Sequence, residues 1–472
     1  MSILDLPIGE KLRLLSVVEQ RINEYYAGLS SAQVAPRLTA SEVKDHVRSL
    51  PLDGTVSPDH VIDHIIKGLT QYAVHTPHKS YFGLFNPRPT TVSTFGDYIT
   101  ASFNPQMAAW SHAPYANEVE RHIIEELGVI FGYDQVDGTF CSGGQESNLT
   151  AVQCAVNHAF PEVSQRGVIG LVKRPRIYVS TQAHDSVLKS ARIIGLGSES
   201  VVSIDVREDL KMNVDVLEAQ ILSDISDGYS PIMIVATAGT TGTGTIDPIE
   251  SLVTIKNKYN LWLHVDGAWG AAICVSQNYN RLLAGIDKSD SITMDFHKWF
   301  STPMGGSVFV TKDTEILFKT YHIQTAYMPP DGDQIEQVDP YLHSIQWSRR
   351  FIGLKAYISL AVHGWGGYAQ VFDNDIAQGK YLKEQLENRG WEVLNDTELP
   401  VVCVAHPDIR GQDEKIRILV DKVIASGKAW VSVYPIHGES TVRACITNHA
   451  TKKEHIDTLV EVLNQCLNDL DV

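Results

Sequence analysis

Apolar positions recur at helical spacing early in the chain, as over residues 12–26, and these stretches are separated by loops containing proline. The pattern predicts an accessory helical segment over residues 1–90. From 91 to 365 short apolar runs alternate with helical patterns; the runs fall at 176–180, 232–237, 261–266, 291–295 and 307–311. Such alternation predicts an α/β domain, a mainly parallel sheet with helices on both faces. Residues 366–472 shift to a smaller α+β pattern, with strands expected near 391–394, 401–405 and 431–434. There is no internal repeat and no low-complexity tract.

Composition adds a few bounds. The 472 residues suffice for two to three domains, and with 43% hydrophobic and 20% charged residues a large core is available. Lys and Arg number 39 against 56 Asp and Glu, a net charge of −17, which argues against nonspecific binding to nucleic acid or an anionic membrane. Six cysteines are scattered without C-x-x-C spacing, so neither a zinc site nor a disulfide framework is expected. No long uncharged apolar run predicts a membrane span. The opening residues lack a basic n-region and a continuous apolar core, and a cytoplasmic location is the expectation.

The candidate chemistry starts at the end of the run Leu261-Trp262-Leu263-His264-Val265-Asp266. Thirty-two residues later comes Lys298, in Asp295-Phe296-His297-Lys298-Trp299. A lysine can form a Schiff base with an aldehyde, and an aspartate ending a buried strand can hold a ring nitrogen protonated. The pair suggests a site for pyridoxal 5'-phosphate (PLP). In Thr139-Phe140-Cys141-Ser142-Gly143-Gly144-Gln145-Glu146-Ser147-Asn148, small residues run straight into a helical pattern. Paired glycines there let backbone N–H groups approach a phosphate at the positive end of a helix; the other reading is a plain turn. His184 follows the strand at 176–180, at the sheet edge where ligands bind, and is either a ring stacked on a flat cofactor or a loop hydrogen-bonder.

Gly239, Gly242 and Gly244 imitate a dinucleotide fingerprint, but the G-x-G-x-x-G order is absent. The next helix has its own expected start in Asp247-Pro248-Ile249-Glu250, a capping-box pattern with proline at the first helical position. Tyr327 lies in Thr325-Ala326-Tyr327-Met328-Pro329-Pro330-Asp331-Gly332-Asp333, where Gly, Pro and Asp interrupt periodicity. The segment reads as a loop able to close over a substrate.

With these residues assembled, the chain resembles the group II PLP-dependent amino acid decarboxylases, which act on aromatic amino acids, histidine, glutamate or diaminobutyrate. The resemblance spans roughly residues 81–448, and its most specific part is His264-Val265-Asp266-Gly267-Ala268-Trp269 followed by His297-Lys298-Trp299. It implies PLP-transferase fold type I, PLP as cofactor, and an obligate homodimer with active sites at the interface, the N-terminal segment clasping the partner. By the same resemblance Lys298 is the Schiff-base lysine, Asp266 the partner of the pyridine nitrogen and His184 the ring stacked on the cofactor. Ser142, Gly143, Gly144 and Gln145 contact the phosphate, while Thr241, Asp295 and His297 lie beside the cofactor. Tyr327 becomes the catalytic-loop tyrosine that returns a proton once carbon dioxide has left, with His297 the alternative group for that reprotonation. Phe85 and Asn86 line the substrate side-chain site, and Ser348 is a substrate-binding residue in a second segment that reaches the pocket, where relatives place partner-chain contacts. Arg443 either receives the substrate carboxylate through paired hydrogen bonds or is a structural surface arginine.

Three departures leave the substrate open. Asp295 replaces the asparagine of the N-P-H-K-W pattern, the stretch from Leu84 to Pro89 differs from the aromatic enzymes' Y-F-P-T region, and Ser348 before Arg349-Arg350 resembles the histidine decarboxylase form. Arg88 in that stretch either meets an acidic group or is solvated. The expected reaction is decarboxylation of an L-amino acid to its amine. A decarboxylating aldehyde synthase and an aminotransferase are the alternatives, and a cofactor-bound protein without turnover is disfavoured by Lys298, Asp266, His184 and Tyr327 being intact.

Overall fold

The computed structural model describes residues 4–323, 333–334 and 337–470. Its centre is a seven-stranded sheet of β1 (Asp137–Cys141), β2 (Pro175–Ser180), β3 (Val201–Ile204), β4 (Ser230–Thr237), β5 (Trp262–Asp266), β6 (Ser291–Asp295) and β7 (Ser307–Thr311), in the order β1-β7-β6-β5-β4-β2-β3. β3, β2, β4, β5 and β6 pair in parallel, while β7 is antiparallel to both its neighbours. The five strands foreseen from the apolar runs are all present. β1 and β3 were not among them.

Strand periodicity sends alternate residues into different cores. On β4, Met233 and Val235 join the cluster with Ala151, Val152 and Ala155 of the helix Gly144–Ala159, whereas Ile234 and Ala236 join the larger cluster on the opposite face. Because β2, β4, β5 and β6 run the same way, Ser180, Thr237, Asp266 and Asp295 all end at one edge of the sheet. The start of β7 joins them there, with Ser307 opposite Asp295 and Cys141.

The helix after β4 starts at Ile249, without the capping box expected from Asp247 and Glu250. Pro248 occupies the cap position and no side chain caps the helix. The Asp247 carboxylate is turned inward, where it accepts the backbone N–H groups of Met212 and Thr237, both at 2.8 Å. Burial pushes its carboxyl up to about 6.

Three helices, Ile8–Gly28, Ala40–Arg48 and Pro58–Gln71, lie within the first 90 residues, and Thr91–Phe103 and Pro114–Phe131 follow before β1. The 34-residue helix Leu354–Glu387 kinks at Gly364, whose φ of 66° suits glycine. Beyond it an antiparallel sheet orders Glu392–Val393, Val401–Ala405, Glu439–Cys445 and Ser432–Ile436, packed with the helices Asp413–Ala425 and Lys453–Asn468 around a core of its own.

Candidate active site

Lys298 stands three residues past the end of β6. Its backbone is held in a tight turn: the Lys298 N–H meets the Asp295 carbonyl at 3.2 Å, and the Ser301 N–H returns to the Lys298 carbonyl at 2.9 Å. Next door, the fully buried Trp299 donates its indole N–H to Asp375 at 2.8 Å, anchoring the turn to the long kinked helix. Lys298 Nζ lies 3.0 Å from Asp295 Oδ2, and His297 Nε2 is 3.7 Å from the same oxygen. The other ring nitrogen of His297 sits 2.8 Å from the Gly306 carbonyl, and burial holds the ring below its ordinary value.

Asp266 ends β5, beside Lys298's strand, and is buried. Its Oδ2 accepts the Asn148 side-chain amide at 2.8 Å and its Oδ1 accepts the Ala268 N–H at 3.2 Å. Among the described residues no Lys, Arg or His forms an ion pair with it. A buried carboxylate supplied with neutral donors and lacking a cation is matched to a protonated pyridine nitrogen.

The helix Gly144–Ala159 begins at this same edge. Gly143 precedes it with no side-chain cap, and a Cβ there would meet nothing within 4 Å. At Gly144 a Cβ would come within 2.9 Å of Asp295 Oδ2, so the pair of glycines leaves an open helix end facing the lysine cluster. The first N–H groups of a helix have no partner within it, and an anion fits them. Ser142 donates both its N–H and its hydroxyl to Glu146, which also takes the Gln346 amide at 2.7 Å. Gln145 points instead at the next helix, bonding the Ser186 carbonyl and the Ser190 hydroxyl. The donor set and the open helix end therefore fit PLP.

His184 lies exposed in the loop after β2, its Nδ1 accepting the Ser186 N–H at 3.2 Å. Thr241 is also exposed; its carbonyl accepts Arg443 Nε at 2.9 Å. Arg443 is not the surface residue of one sequence reading. Only 2% exposed, it bonds the carbonyls of Thr241, Gly242 and Gly83, and its guanidinium carbon stands 5.2 Å from the Phe85 ring centre. Nη2 is buried and has no hydrogen-bond partner among the described residues. Phe85 in turn stacks on Trp269 at 4.3 Å, and Asn86 accepts the Tyr81 hydroxyl at 3.4 Å. Arg88 has no acidic partner among the described residues and is not simply solvated, because it lies over the Tyr26 ring at 4.3 Å. Ser348 bonds the Gln106 side chain and touches none of the lysine cluster. Tyr327 lies outside the described residues.

The structure thus joins Lys298, Asp295, His297 and Gly144 in one cluster, with Asp266 tied to the same helix through Asn148. Arg443, Thr241 and Phe85 make a second cluster where the small unit meets the loops after β4 and β5. Asn148 and His264 were not singled out as site residues from sequence. The signal available was the alternation Trp262, His264, Asp266 along β5, which marks one polar stripe on a buried strand.

Residues 46–406 match the family model described as the pyridoxal-dependent decarboxylase conserved domain. Human cysteine sulfinic acid decarboxylase is 29% identical over 421 residues, covering 86% of this chain and 85% of the relative. Aromatic-L-amino-acid decarboxylase of Bacillus atrophaeus is 27% identical over 417 residues, again with 86% and 85% coverage. Among solved structures, Catharanthus roseus tryptophan decarboxylase in complex with L-tryptophan superposes with a TM-score of 0.90 at 20% identity, covering 99% of this chain and all of that one. At that identity the likeness bears on the fold. With three quarters of its length inside the family model, the chain belongs to the pyridoxal-dependent decarboxylase family and is a PLP-dependent amino acid decarboxylase.

Proposed function

We propose that Lys298 carries the cofactor, that Asp266 holds its ring nitrogen protonated, and that the open helix end at Gly143 and Gly144, flanked by Ser142 and Gln145, receives its phosphate. Bound PLP supplies the electron sink that makes loss of carbon dioxide feasible. The single observation carrying this reading is that Asp266 ends β5 and Lys298 follows the adjacent parallel strand β6, with that uncapped helix N-terminus opening beside them.

Each remaining residue has a stated task. His184 covers one ring face and Thr241 flanks it. Asp295, paired with Lys298 at 3.0 Å, keeps the amine in place until the cofactor arrives. The free Nη2 of Arg443 takes the substrate carboxylate, and the stacked pair Phe85 and Trp269, with Asn86, bounds the side-chain space. Ser348 belongs to the interface between chains. Tyr327, assigned on resemblance alone, donates the proton that replaces the carboxylate, assisted by His297.

The organisation follows the same reading: a dimer-clasping segment over 1–90, a PLP-binding unit over 91–365 and a small unit over 366–472. A second copy of the chain covers the helix Thr91–Phe103, which leaves Phe95, Tyr98, Ile99 and Phe103 exposed. No described helix is long and apolar enough to cross a membrane. We assign the enzyme to the cytoplasm.

The test is carbon dioxide release and amine formation by PLP-reconstituted protein over the twenty amino acids plus cysteine sulfinate, DOPA and diaminobutyrate. Matched release and amine name the substrate. Aldehyde in place of amine moves the chain to the aldehyde synthases, and pyridoxamine phosphate without carbon dioxide moves it to the aminotransferases. Light scattering at twice the chain mass supports the dimer, and a monomer refutes it.

A further inference from the structure

Every second residue of β5 faces the helix Gly144–Ala159, so Trp262, His264 and Asp266 form one stripe on a single face. Strand pairing sets His264 opposite Ser291 and Asp266 opposite Thr293. The polar groups of this stripe are connected without interruption. Trp262 Nε1 is 2.9 Å from Ser291 Oγ, Ser291 Oγ is 2.8 Å from His264 Nδ1, His264 Nε2 is 3.1 Å from Asn148 Oδ1, and Asn148 Nδ2 is 2.8 Å from Asp266 Oδ2. None of the five residues is more than 6% exposed.

The two ends decide the direction of every bond between them. An indole N–H can only donate and an ionised carboxylate can only accept. Ser291 therefore accepts from Trp262 and gives its own proton to His264 Nδ1, which places the ring proton on Nε2, facing Asn148. The Asn148 carbonyl takes that proton and also the Thr293 hydroxyl at 2.9 Å, leaving its amide to donate to Asp266 and to Ser186. Reversing the Asn148 amide would set its oxygen against the Asp266 carboxylate. The ring must stay neutral for this arrangement, and burial lowers the His264 value to about 4.

We propose that Trp262, Ser291, His264 and Asn148 form a one-way hydrogen-bond chain that holds the Asp266 carboxylate in place and aimed at a protonated ring nitrogen. These are positioning residues; they act through Asp266 and touch neither substrate nor cofactor. The inference rests on the assignment of Asp266 above.

The experiment compares binding of PLP with binding of its deaza analogue, in which the ring nitrogen is replaced by a C–H group, to the apo forms of the parent, Asp266→Asn, Asn148→Ala and Trp262→Phe. Affinity is read from the visible absorbance of the lysine-bound cofactor. The parent should prefer PLP. That preference should shrink about tenfold in Asn148→Ala and about threefold in Trp262→Phe, which keeps a large aromatic ring in the core and loses only the terminal N–H. Damage that is only structural would weaken both cofactors equally and leave the preference intact, which overturns the proposal. If Asp266→Asn also leaves the preference intact, the Asp266 assignment itself fails; if Asp266→Asn abolishes it while the other two variants do not, the chain alone is refuted.

Discussion

Asp375→Asn should stabilise the enzyme, and more so as the pH rises. Asp375 is fully buried in the kinked helix; one carboxylate oxygen accepts the Trp299 indole N–H at 2.8 Å and the other has no partner. Burial with that single donor pushes its carboxyl from the ordinary 3.8 up to about 7. The folded protein thus holds a proton over an interval in which the unfolded chain has lost it, so stability falls as the pH climbs from 3.8 to about 7 and the loss is complete above that. At about 1.4 kcal/mol per pH unit the cost reaches about 4 kcal/mol, an upper figure because a real interior relaxes around a charge. Asparagine cannot ionise and still accepts the indole N–H. Asp247 and His264 have pH dependences of their own, but these are shared by parent and variant and cancel in the difference. Thermal unfolding of both proteins at pH 5 and pH 8.5 measures it: the variant should gain several degrees at pH 8.5 and less than half as much at pH 5. An equal effect at the two pH values, or a variant less stable at pH 8.5, would refute the reasoning.

Lys298→Ala should abolish the visible absorbance of the lysine-bound cofactor; a borohydride-reducible adduct persisting on another lysine would refute the assignment. Tyr327→Phe should slow amine formation at least tenfold and divert part of the product to aldehyde, as seen by chromatography, and unchanged amine output would exclude the tyrosine as proton donor. Glu120→Ala should cost about 3–5 kcal/mol in urea unfolding. It strands the buried Arg349, 2.5 Å from Glu120, and frees the Gly353 N–H, so a loss under 1 kcal/mol would show that water or another acid replaces the carboxylate.

The fold was legible where one face of an element repeats. β6 and β7 appear at the residues their apolar runs predict, because both faces of these strands are buried and their side chains are nearly all apolar or small. β1, Asp-Gly-Thr-Phe-Cys, lacks such a run and became a strand only by pairing with β7. Glu439–Cys445 is similar: its polar Ser440 and Thr441 are buried with hydrogen-bond partners on neighbouring segments, and Arg443 is buried with three carbonyls holding part of its guanidinium. The capping box expected at Asp247 failed for a related reason, since two backbone N–H groups distant in sequence took its carboxylate first.

By itself the sequence determined the chemistry that depends on short spacing: a lysine just past one strand, an aspartate ending another, paired glycines opening a helix. These are local because strand ends and helix starts are set by nearby residues. What the tertiary structure decided is which groups meet across elements. The sheet order brought Asp266 and Lys298 to adjacent strands, and the packing of one helix over β5 turned Asn148 toward Asp266. Arg443 went from an ambiguous arginine to a buried guanidinium with one free nitrogen. The Asn148–Asp266 and Arg443–Thr241 contacts join segments more than a hundred residues apart, and no local pattern in the chain encodes them.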